Sequence, residues 1–188
     1  MPAPISPDAA AARRAKVLTA ARWYFLNLGF AKTSLDDIAR RAGLSRTLLY
    51  QISQGKEDIY RAVFEDWLLS RLPVVKEAVN SPGSAYQRLL RVCRLVLLEP
   101  WAEMVNAPMW RDFFPTCADI APKSDRLFRK ESVESMAAIL GDQASAKVFF
   151  LALYGLLADQ PSMEVLEQRT QLLAARFAPR SSKQAARS

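Results

Sequence analysis

The 188-residue sequence contains no histidine and only two cysteines. Without an imidazole, catalysis through histidine is excluded. A transition-metal site is not expected either, because histidines and paired cysteines are the usual ligands. Cys93 and Cys117 lack metal-ligand spacing and are expected to be reduced and packed as small apolar groups. We therefore expect no metal and no cofactor.

Several functional motifs are also missing. The sequence has no glycine-rich phosphate loop, no paired-cysteine motif and no Gly-x-Ser-x-Gly turn. These absences disfavour an enzyme. A serine or carboxylate site remains the only formal route to catalysis, and no residue is predicted to be catalytic. No apolar run approaches the roughly 20 residues of a membrane span, and no apolar stretch follows the N-terminus as it would in a secretory signal. We expect a cytoplasmic protein without a membrane partner.

Positive charge is concentrated in the first third of the chain. Residues 1–56 contain nine Lys and Arg against three Asp and Glu, whereas the remainder contains 17 against 16. An asymmetry of this kind indicates a polyanionic partner for the N-terminal part. A solvated basic surface would give the same counts, so charge alone leaves both interpretations open.

Hydrophobic periodicity predicts an all-α protein, since no convincing run of alternating β-branched residues is present. The glycine at position 29 is expected to end the first helix in the left-handed conformation. Thr33 and Asp36 are expected to form a capping box at the start of the second helix. Helices are predicted over about 8–28, 33–42, 45–54, from 56 to a break at Pro73, 84–98, 123–140, 143–158 and 162–178, with short pieces over 99–122.

The stretch DDIARRAGLSRTLLYQI, residues 36–52, predicts two short helices with almost nothing between them. Gly43 can adopt the left-handed conformation that such a turn requires, and Ser45 can cap the second helix. Apolar residues on both sides, such as Ile38 and Leu49, provide a shared core. These features predict a helix-turn-helix, although an ordinary corner between two helices has similar residues.

A helix that projects from this corner fits the major groove of double-stranded DNA. Arg46 is suited to guanine and Gln51 to adenine. Lys56 opens the next helix, where main-chain N–H groups can hold a phosphate. The residues predicted to contact DNA are Thr33, Ser34, Ser45, Arg46, Thr47, Leu48, Tyr50, Gln51 and Lys56.

Residues 14–64 resemble the N-terminal DNA-binding domain of the TetR family of bacterial transcriptional regulators. The matching segments VLxAA, F, GF, TS, DIARRAGLSR, LY and KEDI keep the family order without a gap. The resemblance implies an all-α homodimer in which three N-terminal helices bind DNA and a C-terminal regulatory domain holds a small-molecule pocket. By position it also implies phosphate contacts from Tyr50 and Lys56.

Three positions depart from the family pattern. Ile52 stands where a tyrosine or histidine is usual, so one common phosphate contact is missing, while Ser53 replaces an aromatic or aliphatic residue and Leu48 a short polar one. With the resemblance, the chain is divided into a helix-turn-helix domain over 1–55, a helical ligand-binding and dimerisation domain over 56–178 and a disordered tail over 179–188.

The segment ASAKVFFLALYGLLA, residues 144–158, carries one charge in fifteen residues. A helix that is apolar on nearly every side must be covered on nearly every side, and a second subunit is the simplest additional cover. Complete burial within one subunit is the alternative. The residues predicted to form the dimer interface are Phe149, Leu153, Leu156, Leu166, Leu173 and Phe177.

Residues 86–128 concentrate bulky apolar side chains among prolines that break the helices. Such a segment can line an apolar cavity for a small-molecule effector, although plain core has the same composition. The candidate ligand-binding residues are Trp101, Met104, Met109, Trp110, Phe113, Phe114 and Phe128.

The predicted function is that of a ligand-responsive transcriptional repressor. It would bind a palindromic operator in double-stranded DNA as a homodimer and be released by a small, largely apolar effector. A helix-turn-helix protein without an effector pocket, constitutive or DNA-organising, shares every N-terminal feature, and an enclosed cavity between residues 86 and 154 would distinguish the two. A helical ligand carrier that does not bind DNA is disfavoured by the basic N-terminal third.

Overall fold

A computed structural model describes residues 6–179, which form helices joined by short turns and contain no strand. The predicted all-α fold class is confirmed. Within the same residues, no helix is both long and apolar enough to cross a membrane. The helices are α1 (Pro7–Asn27), α2 (Gly29–Lys32), α3 (Leu35–Ala42), α4 (Arg46–Ile52), α5 (Lys56–Trp67), α6 (Leu72–Asn80), α7 (Ala85–Cys93), α8 (Glu99–Met104), α9 (Trp110–Ile120), α10 (Pro122–Leu140), α11 (Gln143–Gly155) and α12 (Met163–Phe177).

The described residues divide into two compact units. The first unit holds the residues up to Leu69 together with Asn106–Asp125, and the second holds Ser70–Val105 and the residues from Arg126 onward. Packing therefore places α9 with the N-terminal helices, whereas the functional division at residue 55 stays a prediction. All of the predicted tail except Pro179 lies outside the described residues.

The core of the first unit lies where α1 packs against α3 and α5. Ala21 and Ile38 are fully buried there, and the small alanine lets the helices approach closely. Phe113 of α9 joins this core, with its ring centre 5.3 Å from that of Tyr60 and 5.2 Å from that of Trp67. The Tyr60 hydroxyl donates to the Phe113 carbonyl at 2.6 Å, so the buried phenol is satisfied.

The predicted end of the first helix at Gly29 is confirmed by a φ of 81°. Glycine is favoured because L side chains rarely adopt this left-handed conformation, whereas the Met109 methyl group, 2.9 Å from a Cβ at this position, is the movable end of a flexible side chain. The chain does not leave the helix at once, however. It forms the short helix α2, which the periodicity did not predict.

The capping box of α3 lies one residue later than predicted. The Ser34 hydroxyl accepts from the Asp37 N–H at 3.1 Å, and the Asp37 carboxylate accepts from the Ser34 N–H at 3.3 Å. The hydrogen bond from the Ser34 hydroxyl holds the pKa of Asp37 below its usual range. Thr33 and Asp36 are therefore not the capping pair, because each of them is used elsewhere.

Two of the predicted helices are interrupted near prolines, one before Pro73 and the other before Pro100. The helix predicted to run from residue 56 to Pro73 ends instead at Trp67. A 3₁₀ turn over Leu69–Arg71 follows it, and α6 begins at Leu72. Pro73 lies in the first turn of α6, where its missing N–H is not needed. The predicted helix over 84–98 passes through a π-helical turn at Arg94–Leu98 and runs on into α8.

The second unit packs α12 against α7 and α11. Trp101, Phe149 and Leu153 are fully buried in it. The rings of Phe149 and Phe177 meet edge to face at 5.2 Å, which ties α11 to α12 within one chain.

Candidate nucleic-acid interface

Helices α3 and α4 form a steep corner around Gly43, whose φ is 69°. No atom of the described residues lies within 4 Å of a Cβ at this position, so the conformation and not the space calls for glycine. The Ser45 hydroxyl accepts from the Leu48 N–H at 3.2 Å and caps α4. Ile38 and Leu49 are buried on the inner side of the corner. The predicted helix-turn-helix is confirmed.

The outer face of the corner is polar. Of the nine residues predicted to contact DNA, Leu48 and Lys56 are half-buried and Thr33 is only 2% exposed. Helix α4 therefore presents a guanidinium, a hydroxyl, a phenol and a carboxamide to solvent, which are groups that can reach base edges and phosphates. The six exposed members of the predicted set are Ser34, Ser45, Arg46, Thr47, Tyr50 and Gln51.

Arg46 is oriented by groups on both helices of the corner. Its guanidinium lies 3.2 Å from the Asp36 carboxylate of α3 and donates to the Tyr50 hydroxyl at 3.5 Å. The hydrogen bond with Tyr50 and the charge of Asp36 raise the pKa of Arg46, so it remains a cation. Because the side chain is still 63% exposed, it can leave Asp36 for a base or a phosphate.

Thr33 and Lys56 lie beneath this face and hold the turn before α3. The Thr33 hydroxyl donates to the Gly29 carbonyl at 2.7 Å. The Lys56 ammonium donates to the carbonyls of Phe30 and Thr33 at 2.7 and 3.0 Å, and a third carbonyl, of Ala31, lies at 3.4 Å. Both side chains thus satisfy the last carbonyls of α2, which have no partner inside that helix.

Ser53, an unusual residue at its position, builds the start of α5. Its hydroxyl lies 2.9 Å from the Gly55 carbonyl and 3.1 Å from the Asp58 carboxylate. That carboxylate also accepts from the Gln54 N–H at 3.2 Å. An aliphatic residue could not make these bonds. The serine therefore replaces apolar packing by a polar cap between α4 and α5.

One surface pair was not predicted from the sequence. The Arg41 guanidinium stacks 3.8 Å from the centre of the Trp23 ring, which is 40% exposed. The pair fixes a cation on the solvent side of α3. Since α1 and α3 are separated by a turn and a short helix, residue spacing carries no signal for this contact.

The residues predicted to bind a ligand are divided between the two units. Trp101, Met104 and Phe128 are buried in the core of the second unit. Phe113 belongs to the aromatic core of the first unit, and the remaining three are half-buried in that same unit. The structure therefore does not bring the seven together within one unit. The three half-buried residues are Met109, Trp110 and Phe114.

The residues predicted to form the dimer interface face largely inward. Phe149, Leu153 and Leu166 are fully buried within the single chain, and the other three are half-buried. The exposed apolar side chains of α11 and α12 are their neighbours. Exposure is 56% for Val148, 68% for Leu151 and 67% for Leu172, with Val165 at 36%. Both helices therefore carry exposed apolar side chains beside the predicted residues, and the predicted interface itself stays a prediction.

The corner, its exposed polar helix and its capped turn define a DNA-binding protein of the helix-turn-helix class. Comparison with known proteins gives the particular family. Residues 17–63 match the family of bacterial regulatory proteins described as the tetR family. This match covers about a quarter of the chain. It makes the N-terminal region similar to the TetR family of bacterial transcriptional regulators and confirms the resemblance found in the sequence. TetR-family regulators are non-enzymatic transcription factors, which agrees with the expectation that no residue of this chain is catalytic.

Two curated relatives come from Mycolicibacterium smegmatis. The HTH-type transcriptional activator FasR is 34% identical over 77 residues, which are 41% of this chain and 35% of the relative. The HTH-type transcriptional repressor KstR2 is 34% identical over 83 residues, which are 43% of this chain and 40% of the relative. The chain thus spans well under half the length of either relative, and the two differ in the sign of their regulation.

Solved structures share the fold over most of the chain. A TetR-like regulator from Rhodococcus sp. RHA1 is 22% identical with a TM-score of 0.66, covering 87% of this chain and 94% of that one. A transcriptional regulator from Cytophaga hutchinsonii is 21% identical with the same TM-score, covering 86% and 94%. At this identity the likeness concerns the fold.

Proposed function

We propose that this DNA-binding regulator is a homodimeric repressor of transcription that recognises a palindromic operator and is released by a small, largely apolar effector. The observation that carries the DNA contact is the polar outer face of α4, built on a buried inner face. In this proposal Arg46 and Gln51 read base edges, while Thr47 and Tyr50 contact the backbone or neighbouring bases. A regulator of bacterial genes acts in the cytoplasm, where its DNA lies.

The proposal of a homodimer is supported by the apolar face of α11 and α12. Val148 and Leu151 on α11, with Val165 and Leu172 on α12, are exposed although each would favour burial. On α11 the exposed pair is three residues apart, and on α12 it is seven apart, so each pair lies on one side of its helix. A two-fold axis through this face would bury it against its own copy and present two recognition helices to a palindrome.

The proposal of a repressor rests on the simplest physical effect of a bound dimer, which is to occupy DNA that polymerase needs. The curated relatives do not decide this, since one is named an activator and the other a repressor. The alternative without an effector is favoured by one observation. Trp101, Phe113 and Phe128 are buried core residues, and the seven candidate ligand-binding residues are divided between the two units.

The test is selection of bound fragments from genomic DNA of the source organism with the full-length protein. A repressor of the proposed kind enriches fragments with inverted repeats whose half-sites are spaced by whole helical turns. Fragments are then placed between a promoter and a reporter gene. Reporter expression that falls when the protein is supplied supports repression, and expression that rises means activation. Enrichment without any shared sequence supports the DNA-organising alternative.

A further inference from the structure

The second unit contains a groove that none of the predicted ligand-binding residues lines. It is an open groove of about 440 Å³ between the α7–α8 region and α12. This volume is within the range of small-molecule sites. Its apolar wall is formed by Leu90, Leu98, Ala102 and Met163.

The π-helical turn at Arg94–Leu98 shapes one side of the groove. Pro100 has no N–H, so it cannot donate to the Val96 carbonyl one turn earlier. The Tyr154 hydroxyl donates to that carbonyl instead, at 2.9 Å. The Glu99 N–H reaches back five residues to the Arg94 carbonyl. The widened turn therefore has a cause in the sequence, and turns of this kind are frequent at functional sites.

A buried hydroxyl lies at the opposite wall. Thr170 lines the groove, is fully buried, and has no hydrogen-bond partner for its hydroxyl among the described residues. Helical threonines usually satisfy this group on a carbonyl of the preceding turn. An unsatisfied buried hydroxyl is destabilising, and a bound molecule with a polar hydrogen would relieve it.

The charges of the groove favour one sign of ligand. The Arg94 guanidinium is paired with the Glu99 carboxylate at 3.3 Å. Glu167 also lines the groove, is exposed, and forms no ion pair within residues 6–179. It precedes Thr170 by three residues on α12, so the two side chains are neighbours on one helix face. This carboxylate would repel an anionic ligand and attract a cationic one.

We propose that this groove binds a small primary amine with an apolar body. The ammonium group pairs with Glu167 and donates to the Thr170 hydroxyl, while the apolar body lies against Leu90, Leu98 and Met163. Binding of the amine does not depend on the DNA-binding function. Its interpretation as the effector rests on the proposed function.

The test uses the full-length protein without DNA. It compares n-octylamine with n-octanol and n-octanoate by calorimetry and by tryptophan emission, since Trp101 adjoins the lining residue Ala102. The amine should bind about tenfold more tightly than the alcohol, because a charged partner strengthens a hydrogen bond. The acid should bind most weakly. Equal affinities for the amine and the acid, or no binding of the amine, would overturn the proposal.

Point variants test whether the groove residues contact the amine or contribute only to the packing of the second unit. Thr170→Val should lower octylamine affinity about fivefold, and Glu167→Gln about tenfold. Ser132→Ala is the matched control. Ser132 is also fully buried in the second unit, its hydroxyl has no hydrogen-bond partner within residues 6–179, and it does not line the groove. Thr170→Val and Ser132→Ala should both raise the melting temperature, whereas only the former should weaken amine binding. Wild-type affinity in Thr170→Val would refute the assigned contact.

A second measurement adds a DNA fragment selected as described above. Octylamine that lowers DNA affinity about 5–150-fold would be acting in the manner of an effector, with DNA lowering octylamine affinity by the same factor. Octylamine binding without DNA binding would remove the proposed function and leave the groove. DNA binding without octylamine binding would overturn the proposed amine site and leave the proposed function in place.

Discussion

The Lys56 ammonium lies 2.7 Å from the Phe30 carbonyl oxygen and 4.4 Å from the centre of the Phe30 ring. The carbonyls of Ala31 and Thr33 complete its surroundings. Three carbonyl oxygens match the three donors of an ammonium group. The lysine that opens α5 thereby fastens this helix to the turn before α3, and so positions the helix-turn-helix.

We predict that Lys56→Ala acts through stability. The variant should lose about 1–3 kcal/mol of unfolding free energy, because carbonyls of α2 lose a charged donor. The dependence of DNA affinity on salt should keep its slope. Denaturant unfolding and titrations of DNA between about 50 and 200 mM salt measure the two effects. Lys32→Ala, at an exposed lysine of the same unit, is the control. Unchanged stability with a slope lower by about one would restore the phosphate contact predicted from the sequence.

Arg46 should carry sequence discrimination. If it reads a guanine, Arg46→Ala lowers affinity for the selected operator by about 1–3 kcal/mol while unrelated DNA is affected much less. Arg176→Ala removes the same charge from an exposed position of α12 and should leave discrimination intact. Equal losses of affinity for operator and unrelated DNA would mean that Arg46 contacts a phosphate and does not read a base.

We predict that Asp36 competes with DNA for Arg46. The pair is exposed on both sides, and such pairs contribute little to stability, so Asp36→Asn should unfold at nearly the wild-type temperature. Removing the carboxylate frees the guanidinium and takes a negative charge from the DNA-facing surface. DNA affinity should therefore rise several-fold at low salt and less at high salt. A fall in affinity would mean that Asp36 is needed to orient Arg46.

The exposed apolar side chains of α11 and α12 predict how the proposed dimer can be dissociated. Leu151→Glu and Leu172→Glu place a charge on exposed positions, so the fold of each subunit should persist while the buried charge prevents association. Sedimentation velocity should show monomers. Val74→Glu, at another exposed apolar position, should sediment like the wild type. Dimers in both leucine variants would place the interface elsewhere.

The lowered pKa of Asp142 predicts part of the loss of folding stability at acid pH. Hydrogen bonds from Ser145, and then from the Ala144 N–H, hold the pKa of this N-cap carboxyl below its usual range. Because the folded pKa is lowered, its stabilisation is complete above the unfolded pKa of about 3.9 and is lost as pH falls through the folded value. Asp142→Asn still caps α11 but does not titrate. Its melting temperature should fall less than that of the wild type between about pH 5 and pH 2, measured by calorimetry. Parallel curves would contradict this assignment.

The sequence alone was sufficient for the helix-turn-helix. Gly43, Ser45 and the apolar residues around them act through backbone conformation, capping and helical periodicity, all of which are properties of a few adjacent residues. The family segments added specificity, and the resemblance of the N-terminal region to the TetR family was confirmed. The end of the first helix at Gly29 has the same local cause.

Tertiary structure decided what depends on contacts between distant residues. Periodicity marked residues 143–178 as apolar, but only packing shows that Phe149 and Leu153 face the chain's own core while Leu151 and Leu172 remain exposed. Lys56 was predicted to contact a phosphate from its place at the start of a helix and from the family match. The carbonyls of Phe30 and Ala31 that it contacts belong to α2, a helix that the sequence did not reveal. The groove beside Thr170 joins residues some 70 positions apart, a separation across which no residue pattern carries information.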